Sequence, residues 1–513
     1  MTDVLFVSPN ISSKIYQELA NKYTAIEPPT WSLLLAKSCM SVGFKVKILD
    51  CNAENLNIED AYIKINEINP RLICMVVYGQ NVNAGTTSMT SATELSNYLK
   101  QQKITPLISY IGSHVQALPI QTLKKEKSID FAFTNEGVYA LWNVLKLKKI
   151  SIENLSKIKG IAYRDSSDNI IFNKTEIVVP NEKMDEHLPG YAWELLPYKN
   201  KPFDLYRSPM WHAEYVDENR SPYAAIQTSL GCQFKCSFCM INILNRNDNK
   251  EIGVANTYSN MRYWSPNFII KEFDKLLDYG VKTIKITDEM FLLNPKYYKP
   301  LCEMLSKRNI DDSLKIWAYS RIDTVKRKEI LSLVRKAGIK WLALGIESGD
   351  KSVRLEVSKG KFEDVDVNKV IQQVHESDIE VMANYIFGLP GDTKESMQKT
   401  LDLSIELNTM GWNAYASTPL PGSELYKIAI EKGHNLPKNY EGYSFHSYEA
   451  LPFPNENLTA VEMLKFRDEA FNIYHSNQKF LDKVLKKYGK AAAQNVKDMT
   501  KVKLKRKILE NIN

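Results

Sequence analysis

The chain has 513 residues and a mass of 58.8 kDa, a length that corresponds to about three domains. Hydrophobic residues make up 44% and charged residues 25% of it, which excludes collagen-like, low-complexity and wholly disordered proteins. Its apolar runs are too short to span a bilayer and no secretory signal is recognisable, so we expect a cytoplasmic protein without a transmembrane segment.

The formal net charge of +7 comes from the C-terminal end of the chain. Residues 481–513 hold ten Lys and Arg but only three Asp and Glu, so residues 1–480 are neutral overall. A neutral body with a basic tail is not typical of a nucleic-acid-binding protein, and no nucleic-acid partner is expected. We interpret the tail as a solvated helix; an acidic partner or a membrane surface is the alternative.

Residues 1–150 alternate strand and helix patterns, which predicts a Rossmann-like, doubly wound parallel sheet. The expected strands are Val4–Ser8, Lys45–Asp50, Leu72–Tyr78, Leu107–Ile111 and Asp130–Phe133, with helices near Ser32–Val42 and Thr86–Gln102. Ligands of such sheets bind beyond the carboxyl ends of the strands. Residues 151–215 predict a hairpin around Asp165–Asn169, followed by an irregular, proline-containing linker.

Residues 216–435 resume the alternation, and six successive strand–helix units predict a partial (β/α)6 barrel of the TIM type. The expected strands are Tyr223–Thr228, Thr283–Thr287, Lys315–Ser320, Trp341–Ile346, Val381–Phe387 and Asn413–Ser417. Residues 436–513 form a small helical C-terminal region, with helices expected over Leu458–Phe471 and Gln478–Lys490. We expect this region to cap the barrel mouth or to shape a substrate pocket.

Three of the seven cysteines, Cys232, Cys236 and Cys239, are clustered directly after the first barrel strand. Three thiolates can hold one iron–sulfur cube and leave its fourth iron open. A structural zinc site would need a fourth ligand, and the nearest upstream histidine, His212, is twenty residues from the first of these cysteines. Zinc or unreactive thiols remain the alternatives. The other four cysteines stand alone in apolar contexts and are expected to be buried.

The spacing Cys-x3-Cys-x2-Cys after the first strand of a six-unit barrel resembles the radical S-adenosylmethionine (SAM) enzymes. The resemblance implies a 4Fe-4S cluster whose open iron binds SAM, and cleavage of SAM to a 5′-deoxyadenosyl radical. It also implies SAM contacts: Phe238 near the adenine, Glu289 at the amino group, and Ser320, Arg321 and Glu347 at the ribose and carboxylate. From the residues alone, Glu289 could equally be an acid at a helix start, Arg321 a surface ion-pair partner and Glu347 a loop support.

An open parallel sheet ahead of such a barrel resembles the cobalamin-binding domain of cobalamin-dependent radical SAM enzymes. The resemblance implies cofactor contacts from the loops that follow the strands, at Tyr78, Gly79, Gly112, Ser113, His114, Glu136 and Gly137. The Asp-x-His-x-x-Gly motif of cobalamin mutases is absent, so no histidine from that motif is expected below the cobalt. The alternative is a degenerate domain that binds no cofactor.

Together these resemblances imply a cobalamin-dependent radical SAM enzyme, most simply a methyltransferase that acts on an unactivated carbon. The same cofactors also serve radical cyclases, oxidoreductases and rearrangement enzymes, and a non-catalytic sensor of cobalamin or redox state is a further alternative. The expected substrate is a small molecule or a compound of lipid or sugar type, among which the resemblance does not choose, and the expected electron donor is a protein such as flavodoxin or ferredoxin. No catalytic side chain is identified. Trp412, Tyr385, Tyr415 and Tyr319 are candidates for the pocket wall.

Overall fold

The computed structural model describes residues 1–10, 12–79, 81–357 and 365–510. It contains two large sheets and a helical C-terminal region, as the sequence predicts. No helix in these described ranges is long and apolar enough to cross a membrane.

The first sheet has seven strands in the order β2-β1-β3-β4-β5-β6-β7. Its strands are β1 Val4–Ser8, β2 Val46–Asp50, β3 Leu72–Val76, β4 Leu107–Ile111, β5 Phe131–Phe133, β6 Ile161–Arg164 and β7 Ile170–Phe172. The first five strands are parallel and confirm the predicted doubly wound sheet. The hairpin predicted after residue 150 is also present, but it joins this sheet as two antiparallel edge strands and does not stand apart in a linker.

Nine helices of the described chain accompany the first sheet. They are α1 Ser12–Tyr16, α2 Leu19–Lys22, α3 Thr30–Ser41, α4 Ile58–Ile68, α5 Gly85–Gln101, α6 Ser113–Ala117, α7 Pro119–Lys125, α8 Val138–Leu145 and α9 Ile152–Leu155. The strand order reverses between β1 and β3, so the loops that follow these strands diverge and leave a crevice at the sheet edge.

The second sheet is the six-stranded parallel sheet of the predicted partial barrel. Its strands, in sheet order from one edge to the other, are β8 Tyr223–Ile226, β11 Thr283–Ile286, β12 Lys315–Arg321, β13 Ile339–Glu347, β14 Glu380–Phe387 and β15 Gly411–Ala416. Two further strands, β9 Ser229–Cys232 and β10 Asn260–Tyr263, pair with each other as an antiparallel ribbon. The sequence analysis did not identify this ribbon.

The remaining helices connect the barrel strands or form the C-terminal region. They are α10 Met184–His187, α11 Pro266–Asp278, α12 Pro295–Ser306, α13 Lys328–Lys336, α14 Lys351–Val357, α15 Val367–Glu376, α16 Lys394–Leu407, α17 Glu424–Glu431, α18 Ala460–Ser476, α19 Gln478–Lys501 and α20 Lys507–Glu510. The barrel helices begin at caps that the sequence supplies. Ser265, for example, accepts a hydrogen bond from the Phe268 N–H at the start of α11.

Candidate active site

A cavity of about 580 Å³ lies at the carboxyl ends of the barrel strands and faces the N-terminal sheet. Cavities of about 300–1,000 Å³ are typical of sites for small molecules and cofactors. All eight residues predicted for the cluster and for SAM line this one cavity: Cys232, Cys236, Cys239, Phe238, Glu289, Ser320, Arg321 and Glu347. The N-terminal domain contributes Tyr16, Glu27, Asn83 and Thr87 to the same wall.

The ribbon formed by β9 and β10 shapes the start of the cysteine segment. Gly231 has φ +84°, and a side chain there would place its Cβ atom 2.1 Å from the Asn260 carbonyl oxygen. The two strands therefore approach more closely than any other residue would allow at this position. The Asn242 side-chain oxygen then accepts a hydrogen bond from the Cys232 N–H at 2.8 Å. These contacts fix the direction in which the chain leaves the barrel.

The three clustered thiols are free, and all three line the cavity. Within the described ranges, no three His, Cys, Asp or Glu side chains converge closely enough to hold a single metal ion. A closed structural zinc site has four ligands, one more than these three thiols supply. A cube of four irons spans a larger volume and binds each thiolate at a different iron, and the three residues fit that group.

Burial raises the pKa of the Cys232 and Cys236 thiols to about 12 in the absence of a metal. Binding to iron deprotonates a thiol, because the thiolate is the form that coordinates a metal. Binding of a cluster would therefore release protons. Its positive charge would stabilise thiolates that burial alone disfavours.

Two acids face the thiols from neighbouring barrel strands. Burial raises the pKa of Glu289 to about 7, and the charge of Lys285 opposes that shift. Burial likewise raises the pKa of Glu347 to about 7, against the opposing charge of Arg321. Glu347 has φ +66° at an irregularity in the pairing of β13 with β14, a backbone strain that side chains rarely accept. Two buried carboxyl groups on the cavity wall are thus available to cationic or hydrogen-bonding ligands.

Arg321 connects the third barrel strand to the cysteine segment. Its guanidinium group lies 3.9 Å from the ring centroid of Phe234, and it also pairs with the Asp323 carboxylate at 2.7 Å. The neighbouring Ser320 hydroxyl lies 2.7 Å from the Thr324 hydroxyl. Phe238 packs against apolar residues of α14 and β14, including Val353. Each predicted SAM contact therefore has a defined position on the cavity wall.

A buried ion pair that the sequence analysis did not identify also lines the cavity. The Lys285 ammonium, on β11, lies 2.8 Å from the Glu27 carboxylate of the N-terminal domain, and both side chains are less than 10% exposed. Its two members are far apart in the sequence, and neither belongs to a motif. The only indication of this pair in the sequence is Lys285 itself, a lysine between two isoleucines of a buried strand.

Asp288 is a second residue whose role emerges only from the structure. Its carboxylate accepts hydrogen bonds from the Thr228 N–H at 2.6 Å, the Thr228 hydroxyl at 2.7 Å and the Ser229 hydroxyl at 2.6 Å. These groups form the turn between β8 and β9, immediately before the cysteine segment. Asp288 thus positions the segment that carries the thiols, one residue before the acid predicted from the sequence.

We expect Asp288→Asn to disturb this turn. The new amide would have only one oxygen to accept from the Thr228 and Ser229 donors, and its NH2 group would face donors instead of acceptors. An unsatisfied buried donor costs about 1–3 kcal/mol. The expected result is a lower unfolding midpoint in urea and a lower iron content after anaerobic reconstitution. Asp278→Asn, at an exposed position at the end of α11, is the matched control. Wild-type stability and iron content in the Asp288 variant would contradict this role.

A smaller cavity, of about 90 Å³, lies at the crevice where the order of the first sheet reverses. Tyr78 and Gly79 line it, together with Ser8, Asp50 and the Pro28–Thr30 segment. The Tyr78 ring stacks on Trp31 at 4.4 Å between centroids. The structure thus brings together loops that the sequence analysis treated separately. The volume suits only part of a large cofactor.

Gly112, Ser113 and His114 follow β4 and line neither of these two cavities. A side chain at Gly112 would place its Cβ atom 2.4 Å from the Val77 carbonyl oxygen, so protein backbone fills the space beside this glycine. The His114 Nδ1 atom lies 3.2 Å from the Thr86 hydroxyl, and burial lowers the pKa of the imidazole to about 3. The role of these residues as cofactor contacts stays a prediction.

Glu136 and Gly137 also lie outside both cavities. Glu136 is fully buried, and its carboxylate pairs with Arg262 of β10 at 2.6 Å. Arg262 also donates to the Val179 carbonyl at 2.7 Å and to the Asn245 side-chain oxygen at 2.9 Å. The observed role of Glu136 is therefore to connect the N-terminal sheet to the ribbon that precedes the cysteines, and its predicted cofactor contact is untested.

The C-terminal region closes the far side of the large cavity, as expected from the sequence. Arg467 and Phe471 of α18 and Val496 and Met499 of α19 line the cavity. The helix α19 is thus amphipathic: most of its lysines are exposed and its apolar face packs on the protein, whereas the half-buried Lys483 donates to the Asn408 carbonyl at 2.7 Å. Trp412, Tyr415 and Tyr319 line the cavity as well, whereas Tyr385 is buried and is not part of the lining.

Comparison with known proteins gives a family match over the barrel. Residues 226–404 match the Radical SAM superfamily. The chain is 24% identical over 439 residues to the anaerobic magnesium-protoporphyrin IX monomethyl ester cyclase of Cereibacter sphaeroides, covering 83% of this chain and 63% of that protein. It is 23% identical to an uncharacterized methyltransferase of Pyrococcus horikoshii, covering 86% of each. The chain thus spans less than two thirds of the cyclase.

Among solved structures, the chain is similar to OxsB, a cobalamin-dependent SAM radical enzyme determined with aqua-cobalamin and SAM bound. The TM-score is 0.64 at 15% sequence identity, with 95% of this chain and 70% of OxsB covered. At this identity the similarity establishes the fold. It includes the N-terminal sheet, the barrel and the C-terminal helices in one arrangement.

Proposed function

We propose that this chain, whose residues 226–404 match the Radical SAM superfamily, is a cobalamin-dependent enzyme that transfers a methyl group from SAM to an unactivated carbon. One observation carries the proposal: residues from the cysteine segment and from the ends of barrel strands β11, β12 and β13 meet in one cavity that helices and loops of the N-terminal domain also line. A reaction that uses two cofactors requires both domains to face one substrate site.

The residues of this chain divide the task of holding the cofactors. Cys232, Cys236 and Cys239 would bind a 4Fe-4S cluster and leave one iron for SAM. The cluster would supply the electron that cleaves SAM, and cobalamin would carry the methyl group. Glu289 would accept a hydrogen bond from the SAM amino group, and Phe238 would pack on the adenine.

The remaining SAM contacts come from the ends of the next strands. Ser320, Arg321 and Glu347 would hold the ribose and carboxylate, as the resemblance implies. The apolar wall from α18 and α19 would exclude water from the radical and orient the substrate. For the N-terminal domain, we retain the loops after β3, β4 and β5 as the proposed cobalamin contacts.

The substrate is proposed to be a small molecule, because the cavity is closed by the chain itself on the side of α18 and α19. An external one-electron donor, such as flavodoxin or ferredoxin, is proposed because the chain's own side chains cannot reduce the cluster. Ring formation is the second candidate function, since the relative from Cereibacter sphaeroides is a cyclase.

The decisive experiment uses SAM alone as the probe, since the substrate is unidentified. Anaerobically reconstituted protein is given hydroxocobalamin, SAM with a trideuterated methyl group and titanium(III) citrate. A methyltransferase should form both 5′-deoxyadenosine and S-adenosylhomocysteine, and the recovered cobalamin should carry the deuterated methyl group. Formation of 5′-deoxyadenosine without S-adenosylhomocysteine would favour cyclisation or oxidation. Binding of SAM without any cleavage would favour a sensor.

Glu289→Gln should weaken SAM binding, because a charge-assisted hydrogen bond to the amino group would be lost. Such bonds contribute about 1.5–3 kcal/mol, which corresponds to roughly a 10- to 150-fold rise in Kd. Equilibrium dialysis of SAM against the reconstituted protein measures the change. Glu303→Gln, at an exposed position on α12, is the matched control. Unchanged affinity in the Glu289 variant would remove Glu289 from the SAM site.

A further inference from the structure

Asn83 is a residue of the N-terminal domain whose side chain reaches the cysteine segment of the barrel. It lies in a single helical turn, Val82–Ala84, directly after β3. Its side-chain oxygen accepts a hydrogen bond from the Met240 N–H at 2.9 Å, and its side-chain nitrogen lies 3.8 Å from the Cys239 sulfur. Asn83 also lines the large cavity. No other part of the proposed mechanism uses it.

The contact with Met240 determines how the Asn83 amide is oriented. The nitrogen and the oxygen of the amide both lie 3.8 Å from the Cys239 sulfur, and because the oxygen already receives the backbone N–H, the NH2 group is the part that can donate to Cys239. A free thiol can donate to the Asn83 oxygen, and that geometry is also present at 3.8 Å. A thiolate bound to iron has no proton and can only accept. In the loaded protein, the hydrogen bond must therefore run from the Asn83 amide to the sulfur.

The turn that carries Asn83 is tightly held by its own domain. The Ser113 hydroxyl donates to the Val82 carbonyl at 2.6 Å. A side chain at Gly85 would place its Cβ atom 1.9 Å from the Ser113 hydroxyl oxygen and 2.7 Å from the Val77 carbonyl oxygen, so the two loops pack without any gap. These contacts fix the position of the turn, and the turn thereby fixes the position of the Asn83 side chain beside Cys239.

We propose that Asn83 is a positioning residue for the cluster: its amide hydrogen bond to the Cys239 thiolate raises the reduction potential of the 4Fe-4S cluster and fixes the third ligand from the opposite domain. This inference rests on the proposed function. A hydrogen bond donated to a cluster sulfur stabilises the reduced form, which carries more negative charge, and such bonds are among the determinants of cluster potential. Residues that orient a metal ligand typically affect metal affinity or activity 10- to 100-fold.

The test compares Asn83→Asp, Asn83→Leu and wild-type protein, each reconstituted anaerobically without SAM or cobalamin. Asn83→Asp keeps an acceptor for Met240, removes the donor to Cys239 and adds a negative charge beside the sulfur, whereas Asn83→Leu removes the donor and the acceptor without adding charge. The midpoint potential is measured by a redox titration followed by electron paramagnetic resonance. We expect Asn83→Asp to lower the ratio of reduced to oxidised cluster by about tenfold at the wild-type midpoint. For a one-electron couple this corresponds to a midpoint potential that is about 59 mV lower. Asn83→Leu should shift the midpoint in the same direction by less.

The matched control is Asn256→Leu. Asn256 is partly buried, and its side-chain nitrogen donates to Glu424 at 2.9 Å. It should keep the wild-type potential and iron content. Loss of iron in both Asn83 variants, with iron retained in the control, would also support the inference, because Asn83 would then be needed to hold the ligand.

Full iron content and an unchanged potential in both Asn83 variants would overturn this inference and leave the proposed function intact. Wild-type protein that takes up no four-iron cluster would overturn both. The two failures are therefore distinguished by the iron and sulfide content of the wild-type protein, before any variant is compared.

Discussion

Cys236→Ala is expected to abolish cluster binding and SAM cleavage. A cube held by two thiolates has lost a ligand that no neighbour can replace, because the described residues offer no further cysteine at the cavity. Changes to residues that only orient a ligand cost about 10- to 100-fold, so removal of the ligand itself should exceed that range. Iron and sulfide analysis, the absorbance of the cluster and the yield of 5′-deoxyadenosine measure the effect.

Cys302→Ala is the matched control for this experiment. Cys302 is fully buried within α12, and it lies outside the lining of the cavity. Its replacement should leave the iron content and the deoxyadenosine yield at wild-type levels. A Cys236 variant that still carried four irons and cleaved SAM would remove the basis of the proposed function.

Arg262→Met is expected to cause the largest loss of stability. Arg262 and Glu136 are each 1% exposed, and their ion pair joins the N-terminal sheet to the ribbon before the cysteines. Removing one partner of a buried pair leaves an uncompensated charge and costs about 3–5 kcal/mol. The unfolding midpoint in urea, followed by circular dichroism and tryptophan fluorescence, should fall sharply. Iron retention should fall as well, because Arg262 pairs with Leu230 in the ribbon.

The double variant Glu136→Met/Arg262→Met tests the cause of that loss. Replacing both charges with apolar groups of similar volume is often neutral or stabilising, so the double variant should recover much of the midpoint. Lys394→Met provides the surface control, since its pair with Glu462 is exposed and should contribute about 0–1 kcal/mol. A double variant as unstable as Arg262→Met would show that the hydrogen bonds of this pair to Val179 and Asn245, and not its mutual charge, hold this contact.

The barrel strands could be predicted because each buried parallel strand is a continuous apolar run between amphipathic helices. The strand expected over Val381–Phe387, for example, extends over Glu380–Phe387 in the structure. The ribbon of β9 and β10 was missed for a physical reason. Its two four-residue strands contain a glycine and polar residues, and they pair across an intervening segment of 27 residues, so no local periodicity marks them.

The C-terminal tail contains a helical stretch that the local pattern did not predict. The helix expected over Gln478–Lys490 is present and ends at Gly489, whose φ of +85° and ψ of −178° are not helical. A second helical stretch continues from there to Lys501 within α19. Its apolar face, including Val496, packs toward the cavity. Tertiary packing, which the local pattern does not contain, stabilises this second stretch.

The sequence by itself determined which side chains gather at the barrel mouth: three thiols at one spacing and the acids at strand ends are local patterns, and parallel strands bring their carboxyl ends to one edge. Only the tertiary structure decided how the two domains are joined. Glu136 and Arg262 are 126 residues apart, and Asn83 and Cys239 are 156 apart. Such contacts depend on which surfaces become buried against each other, and a charged or amide side chain in a loop carries no signal of its distant partner.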